Sequence, residues 1–348
     1  MLLGAVKQEK FDAAAAVLAK ATADGQIRAS SLCVRHGKDL FARSFGEAKT
    51  TDAMFLLASV TKTITTAAVV TLVDREKIRL DDPVVKYLPE FSEAPRNRIT
   101  LAQLLTHVSG LPDQLPENQT LRSSHAKLPQ FVEGAVRTPL LFDPGTRYSY
   151  SSMGILLASE VARRVTSTDI HELVDRAVFQ PLEMKHSVLG LGRYKMEDIV
   201  RNQTDHAAPE SGAGDPSAKE WDWNSPYWRA LGAPWGTAHS SAPDVARFFA
   251  EFLHPTDRMM KPETARLMIR NHNPEGFVPR GLGFAVGRLS GSPGCSEKTF
   301  GHSGSSGTLA WADPATDTVC VVLTTLPGAA AKPHPLRIAS DQVAKAVS

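Results

Sequence analysis

The sequence predicts an α/β (α+β) fold: a mostly antiparallel sheet flanked by the N- and C-terminal helices and interrupted by a mainly helical insertion. Three observations predict it. Strand-like runs crowd both ends of the chain, helical patterns punctuated by proline fill the stretch between about residues 77 and 236, and helix-like runs open and close the chain. As residue ranges, 1–66 is the first part of the α/β unit, 67–236 the helical subdomain and 237–348 the second part.

In order, residues 8–24 carry Ala, Val and Leu at helical spacing and stop at Gly25, a helix with a C-terminal glycine. "IRASSLCVRHGKDLFARSFG" gives two strand-like runs around His36-Gly37, a hairpin signal. The apolar helix that contains Lys62 follows. Next comes the insertion, where Pro83, Pro89, Pro95, Pro112, Pro116, Pro129, Pro139 and Pro144 separate short helical patterns such as "LAQLLTH" and "GILLASEVARRV". "SAPDVARFFAEFL" reads as a helix capped by Ser241 with Pro243 in its first turn. "GLGFAVGRL", "TLAWADP" and "DTVCVVLTTL" then return strand texture, and "HPLRIASDQVAKAV" closes as a helix. No internal repeat or low-complexity segment interrupts this order.

At 348 residues the chain has room for a sizeable core, and 42% hydrophobic with 22% charged residues is ordinary globular composition. A net charge of +2 provides no basic field for nucleic acid or anionic lipid. Cys33, Cys295 and Cys320 show no metal-finger spacing and are expected as free thiols. The histidines include no H-E-x-x-H, and the glycines of "GLGFAVG" do not follow the dinucleotide-binding order, so neither metal nor cofactor is expected. Only six residues precede Lys7 at the apolar start, and nothing later approaches 18 apolar residues, so no membrane span is expected. The chain as given reads as cytoplasmic, a trimmed leader aside. Its oligomeric state is left open.

Ser59 and Lys62 form S-x-x-K, a spacing that chance supplies about once in a chain of this composition; Ser124 to Lys127 is a second instance. Context separates them. "LRSSHAKLPQ" is short, polar and ended by proline, the setting of a solvated lysine. "LLASVTKTITTAAVVTLV" is apolar on both sides of Ser59. A serine before an apolar helix is most often its N-cap, but an acid or glutamine then belongs three residues on, where the dipole disfavours Lys62 by roughly 0.3–1 kcal/mol. No acid precedes Asp74 along this helix, so no neighbour on it pairs with Lys62. Residues three apart share a helix face, which brings a proton acceptor to the Ser59 hydroxyl. The N–H of Ser59 at the helix start supplies half of an oxyanion hole.

"FDPGTRYSYSSMGILLAS" presents a Pro-Gly turn and then Tyr148 and Tyr150 before a helix-like run, with Ser151 or Ser152 as its cap. Two aromatic residues packing a turn explain this equally well, although a phenol beside a lysine can serve as general acid or base. "TFGHSGSSGTLAWADP" sets glycines around His302, a pattern of close backbone approach as well as of an ordinary turn.

Taken together and in this order, these segments resemble the serine β-lactamase and penicillin-binding-protein superfamily, with class C β-lactamases and family VIII carboxylesterases the nearest in pattern. "FLLASVTKTITTAAVVTLVDREKIRLDDPVVKYLPEF", "ITLAQLLTHVSGLPD", "FDPGTRYSYSSMGILLA", "SSAPDVARFF" and "FGHSGSSG" each resemble a family block. The resemblance implies Ser59 as the acylated nucleophile, Lys62 as its proton partner and Tyr150, from the Tyr-x-Asn motif, as general base. It implies His302, Ser303 and Gly304 as the Lys/His-x-Gly motif, with the N–H of Ser305 completing the oxyanion hole. His107 and Ser109 correspond to a structural turn. Two positions depart from the pattern. Ser152 replaces the motif asparagine and cannot donate and accept as an amide does, and His302 replaces lysine, leaving less fixed positive charge for a substrate carboxylate. Both point toward esters and away from β-lactams. Trp221, Trp223, Tyr227, Trp228 and Trp235 either wall an acyl or alcohol pocket or pack the helical part. The expectation is a cofactor-free serine hydrolase acting on small esters or acyl compounds, with a D-amino-acid peptidase or weak β-lactamase, and an inactive ligand-binding or assembly homologue, as the alternatives.

Overall fold

The structure is a computed structural model and describes residues 9–348; Met1–Gln8, including the start of the first expected helix, lie outside the described residues. Helix α1 (Asp12–Ala23) ends before Gly25, whose φ of +76° suits glycine. Strands β1 (Ala29–His36) and β2 (Asp39–Gly46) pair antiparallel through the turn at Gly37, as the hairpin signal predicts. With β7 (Phe300–Gly304), β8 (Thr308–Asp313) and β9 (Thr318–Thr324), and the short β6 (Ala285–Val286), they form a six-stranded antiparallel sheet in the order β2-β1-β9-β8-β7-β6.

Both faces of this sheet are covered. Leu32, Val34, Leu309, Trp311 and Val322 face α1 and the C-terminal helix α11 (Pro335–Val347), in a core with Leu18 and Val343. Alternate residues, among them Cys33, Ala310, Val319 and Val321, point into the larger core shared with Phe248, Phe249 and Phe252 of helix α9 (Ala242–Leu253). Burial on two faces explains why "DTVCVVLTTL" is almost continuously apolar and lacks polar alternation. Ser241 caps α9 through the N–H of Asp244, with Pro243 in the first turn. Cys33, Cys295 and Cys320 are buried free thiols.

Between β2 and β6 run α2 (Thr61–Asp74), α3 (Leu101–Leu105), α4 (Asn118–Ser123), α5 (Leu128–Arg137), α6 (Ser152–Thr166), α7 (Ile170–Val174), α8 (Pro226–Leu231), α9 and α10 (Pro262–Met268). Residues Thr61 to Leu72 of α2 are all buried, which is why, Lys62 apart, this stretch carries no charge and only threonine among its polar residues. A boundary at residue 66 therefore cuts an unbroken helix.

Two features differ from the sequence expectation. "GLGFAVGRL" contributes only the two residues of β6, because Gly283 (φ +75°) and Gly287 (φ +94°) turn the chain out of extended conformation on either side. The insertion region also joins a second small sheet, β3 (Phe55–Leu56), β5 (Ala238–Ser240) and β4 (Ser187–Leu189), in the order β3-β5-β4. Strands of two or three residues are too short to show a period of two. Among the described residues, no helix is long and apolar enough to cross a membrane.

Candidate active site

Ser59 lies in a single 3₁₀ turn, Ala58–Val60, wedged between β3 and α2. Three hydrogen bonds from distant parts of the chain hold the approach to that turn. The N–H of Leu57 donates to the carbonyl of Ala238 (2.8 Å), the hydroxyl of Thr308 donates to the carbonyl of Leu57 (2.8 Å), and that of Ser306 donates to the carbonyl of Leu56 (2.7 Å). So fixed, Ala58 adopts φ +45°, a left-handed conformation costing of order 1–3 kcal/mol for a residue with a Cβ. The result is a sharp strand-to-helix turn that presents the partly exposed Ser59 at the start of a buried helix.

Ser59 makes no N-cap hydrogen bond. Its Oγ instead lies 3.1 Å from Nζ of Lys62, one turn along on the same face. Lys62 is 1% exposed, and its Nζ also donates to the carbonyl of Trp235 at 3.0 Å. Among the described residues no carboxylate pairs with it. With one N–H committed to Trp235, Nζ can offer Ser59 either a second N–H or its lone pair.

Tyr150 comes to the same place from the loop before α6. That loop is zipped to residues 107–110: Gly145 N–H donates to Val108 O (2.7 Å), and Ser149 N–H donates to His107 O (3.0 Å). Ser151 caps α6 through the N–H of Gly154. Nζ of Lys62 lies 4.8 Å from the centroid of the Tyr150 ring, and the phenolic oxygen is buried without a hydrogen-bond partner. His107 packs against the ring at 4.6 Å and accepts the Ser151 N–H through Nδ1 (3.2 Å), so its place is one of support.

The structure therefore brings Ser59, Lys62 and Tyr150 together. Ser59, Lys62, Ser152 and Ser305 line one cavity of about 40 Å³, with Tyr150 packed beside it. Gly304 stands under the Leu57–Ala58 backbone, and a Cβ there would collide with the Leu57 carbonyl. The Gly304→Ala variant is accordingly expected to displace the Ser59 turn and lower turnover by about 100-fold or more, because near-ångström misplacement has that effect. Steady-state kinetics beside a circular-dichroism melt will separate this from unfolding.

Residues not singled out from the sequence complete the electrostatics. Asp113 accepts both the N–H (2.9 Å) and the Oγ–H (2.6 Å) of Ser152, which removes that hydroxyl from easy use by a substrate. Arg280 donates to Tyr148 Oη through Nε (3.1 Å) and Nη2 (2.7 Å), and its guanidinium carbon lies 5.4 Å from the Tyr150 centroid. His302 meets Tyr150 at 6.0 Å between centroids, its Nδ1 2.8 Å from its neighbour's carbonyl and its Nε2 unpartnered. Burial, with Arg280 and Lys62 adding repulsion, pushes the pKa of His302 down to about 3. The expectation of reduced positive charge at this motif thus becomes no charge from His302 near neutral pH, and Arg280 is the cation that stands there.

His239 is likewise pushed down to about 3, and His107 well below its ordinary value, chiefly by burial. Such groups are neutral when folded and become protonated when unfolded below about pH 6.5, so the unfolded state binds more protons and stability falls with pH from there toward 3. His302 and His239 each contribute up to about 1.4 kcal/mol per pH unit in that window, and His107 acts in the same direction. Denaturant titrations at pH 7 and pH 5 are expected to show a clearly lower midpoint at pH 5.

Larger clefts, of about 530 and 620 Å³, lie elsewhere, one walled by Leu128, Val132, Leu156 and Ile170 and the other by Thr50, Met196 and Val200, and neither holds a nucleophile beside a base. Of the five aromatic residues in the tryptophan-rich segment, Trp223, Trp228 and Trp235 line the Ser59 cavity. Tyr227 packs away from it, stacked on His125 at 4.6 Å.

Comparison with known proteins bears on the family and the fold. Over 306 residues, 80% of this chain and 70% of the other, the sequence is 25% identical to a protein of Escherichia coli (strain K12) assigned as a D-alanyl-D-alanine carboxypeptidase. Over 181 residues, 46% of each chain, it is 32% identical to esterase EstB of Burkholderia gladioli. The solved structure of EstCE1, a hydrolase with promiscuous acyltransferase activity, has a TM-score of 0.79 at 20% identity, covering 98% of this chain and 99% of that one, a likeness of fold. The Beta-lactamase family model matches residues 14–344, so the chain belongs to the Beta-lactamase family of serine hydrolases and has its β-lactamase/transpeptidase-like fold.

Proposed function

We propose that the protein is a carboxylesterase that turns over small esters through an acyl-enzyme on Ser59. The observation that carries this reading is the buried Lys62, whose Nζ is 3.1 Å from Ser59 Oγ and 4.8 Å from the Tyr150 ring, a nucleophile, proton partner and phenol in one place. Ser59 Oγ attacks the ester carbonyl while its proton passes to the Tyr150–Lys62 pair. The oxyanion so formed is received by the N–H groups of Ser59 and Ser305. Collapse expels the alcohol, which takes the proton back from the pair. Water then attacks the acyl carbon while the same pair takes its proton, and collapse releases the acid as that proton returns to Ser59 Oγ.

The ester preference rests on two features. Ser152 spends its hydroxyl on Asp113, and neutral His302 supplies no charge for the carboxylate of a β-lactam or peptide terminus. EstB, a relative over part of the chain, is itself named an esterase. The test is a panel of short p-nitrophenyl esters, penicillin and D-Ala-D-Ala peptides, with intact-mass detection of the adduct. Fast ester turnover with slow or absent β-lactam and peptide turnover is expected. Peptide turnover exceeding that of every ester would replace this reading with a D-peptidase, and failure of a fluorophosphonate probe to label Ser59 would remove the enzymatic reading.

A further inference from the structure

The lining of the Ser59 cavity includes a buried cation for which the mechanism has no use. Arg122, on α4, is 1% exposed and stacks on Trp228 with its guanidinium carbon 3.6 Å from the ring centroid. Nη1 donates to Ser211 Oγ at 3.1 Å, while Nε–H is buried with no partner. Among the described residues no carboxylate forms an ion pair with it. Glu210, half-buried on the same cavity, acts on Arg122 only at longer range, and burial pushes the pKa of Arg122 down to about 10, which leaves the guanidinium charged at neutral pH.

Two residues that line the same cavity also carry buried donors without partners, the indole N–H groups of Trp228 and Trp235. One acceptor, Gln114 Oε1, is left over as well. Among the fully buried side-chain atoms of these residues three donors and one acceptor are unpartnered, with the half-buried Glu210 carboxylate beside them. The space is about 40 Å³, and a water needs roughly 10–15 Å³ of such volume, so only a few heavy atoms fit. An alkyl chain placed here would leave the donors dry, which disfavours it strongly. A carboxylate accepts through both oxygens, and its bonds to a guanidinium are charge-assisted. A carboxamide offers the guanidinium one uncharged acceptor oxygen and so forgoes the charge assistance. Asp113, the other acid of the cavity, is engaged by Ser152.

We propose that the acyl group of the substrate ends in a carboxylate, so that the preferred esters are monoesters of small dicarboxylic acids, and that Arg122 with the Trp228 and Trp235 indoles recognises that carboxylate. This rests on the assignment of Ser59 as the acylated residue. Lys62, also in the cavity, is occupied by Ser59 and Trp235 and is not the anchor.

The experiment compares monoethyl succinate, monoethyl glutarate, the ethyl ester of succinamic acid and ethyl butyrate, followed by proton release at constant pH. In the unaltered enzyme kcat/KM for at least one of the two monoesters is expected to exceed that for ethyl butyrate by tenfold or more, with the succinamate near butyrate. Arg122→Met is expected to collapse the monoester-to-butyrate ratio to about one, and Arg122→Lys to keep part of it. Trp228→Phe, which retains the stacked ring and loses the N–H, is expected to lower the ratio several-fold. A ratio of one or less in the unaltered enzyme overturns the proposal without any variant, as does a succinamate equal to the better monoester, since charge is then not read. Ser59→Ala separates the two levels. If it abolishes turnover of all four esters while the ratio is flat, only the role of Arg122 fails; if it leaves turnover standing, the reading of the site itself fails.

Discussion

Replacing Ser59 with alanine is expected to lower turnover of short p-nitrophenyl esters by about 10⁴-fold or more, to a residue of activity from cavity binding and the oxyanion donors alone. Ser124→Ala, the same change in the other S-x-x-K match, is expected to leave kcat/KM within twofold. The two serines have the same local motif and different surroundings. Ser124 follows the last residue of α4, exposed, its hydroxyl spent on the carbonyl of Leu121 at 3.1 Å, and Lys127 is exposed as well. Ser59 has Nζ of a 1% exposed lysine 3.1 Å from its oxygen. Stability should move little in either variant, since neither hydroxyl caps a helix. Parallel ester kinetics and thermal melts on the three proteins check this, and full activity in Ser59→Ala would end the acyl-enzyme reading.

That contrast also shows what the sequence discloses and what it withholds. Burial of Lys62 was legible because the segment around it is apolar on all sides and an acid is missing where a cap would place one. The β1–β2 hairpin and the cap at Ser241 were legible for a similar reason, since each is set by residues a few positions apart. Interactions across long separations left no such mark. The hydroxyls of Ser306 and Thr308 reach back 250 and 251 residues to fix the turn before Ser59, and nothing in "SSGTLAW" distinguishes them from other turn residues. Asp113 lay inside a recognised block, yet its grip on Ser152 depends on how two loops meet. Arg122 sits in "LRSSHAK", whose polarity reads as solvated, and only the docking of α4 against Trp228 buries it. A charge is read as exposed unless its neighbours are apolar in sequence, so cations buried by tertiary contact are the residues such reasoning misses.

Arg280, a half-buried cation, makes the role of Tyr150 and its surroundings testable. Tyr150→Phe is expected to lower kcat by about 10²–10⁴, the range for loss of a general acid–base. Because Tyr150 Oη makes no hydrogen bond in the folded protein, the deletion leaves no buried partner unsatisfied, and the melting temperature should stay close to that of the unaltered protein. The groups facing the ring are Lys62 from α2, His107 and Tyr148 from the flanking loops, His302 from β7 and Arg280. Both histidines are held neutral by burial, and the Arg280 guanidinium lies 5.4 Å from the ring centroid. Arg280→Met removes that cation together with the two-point hold on Tyr148 and is expected to lower kcat, whereas Arg280→Lys, keeping charge without the hold, should lower it less. Tyr148→Phe removes the hold and leaves the charge, so its loss of kcat should be smaller than that of Arg280→Met. Equal losses in Tyr148→Phe and Arg280→Met would mean that Arg280 acts only by anchoring the loop through Tyr148.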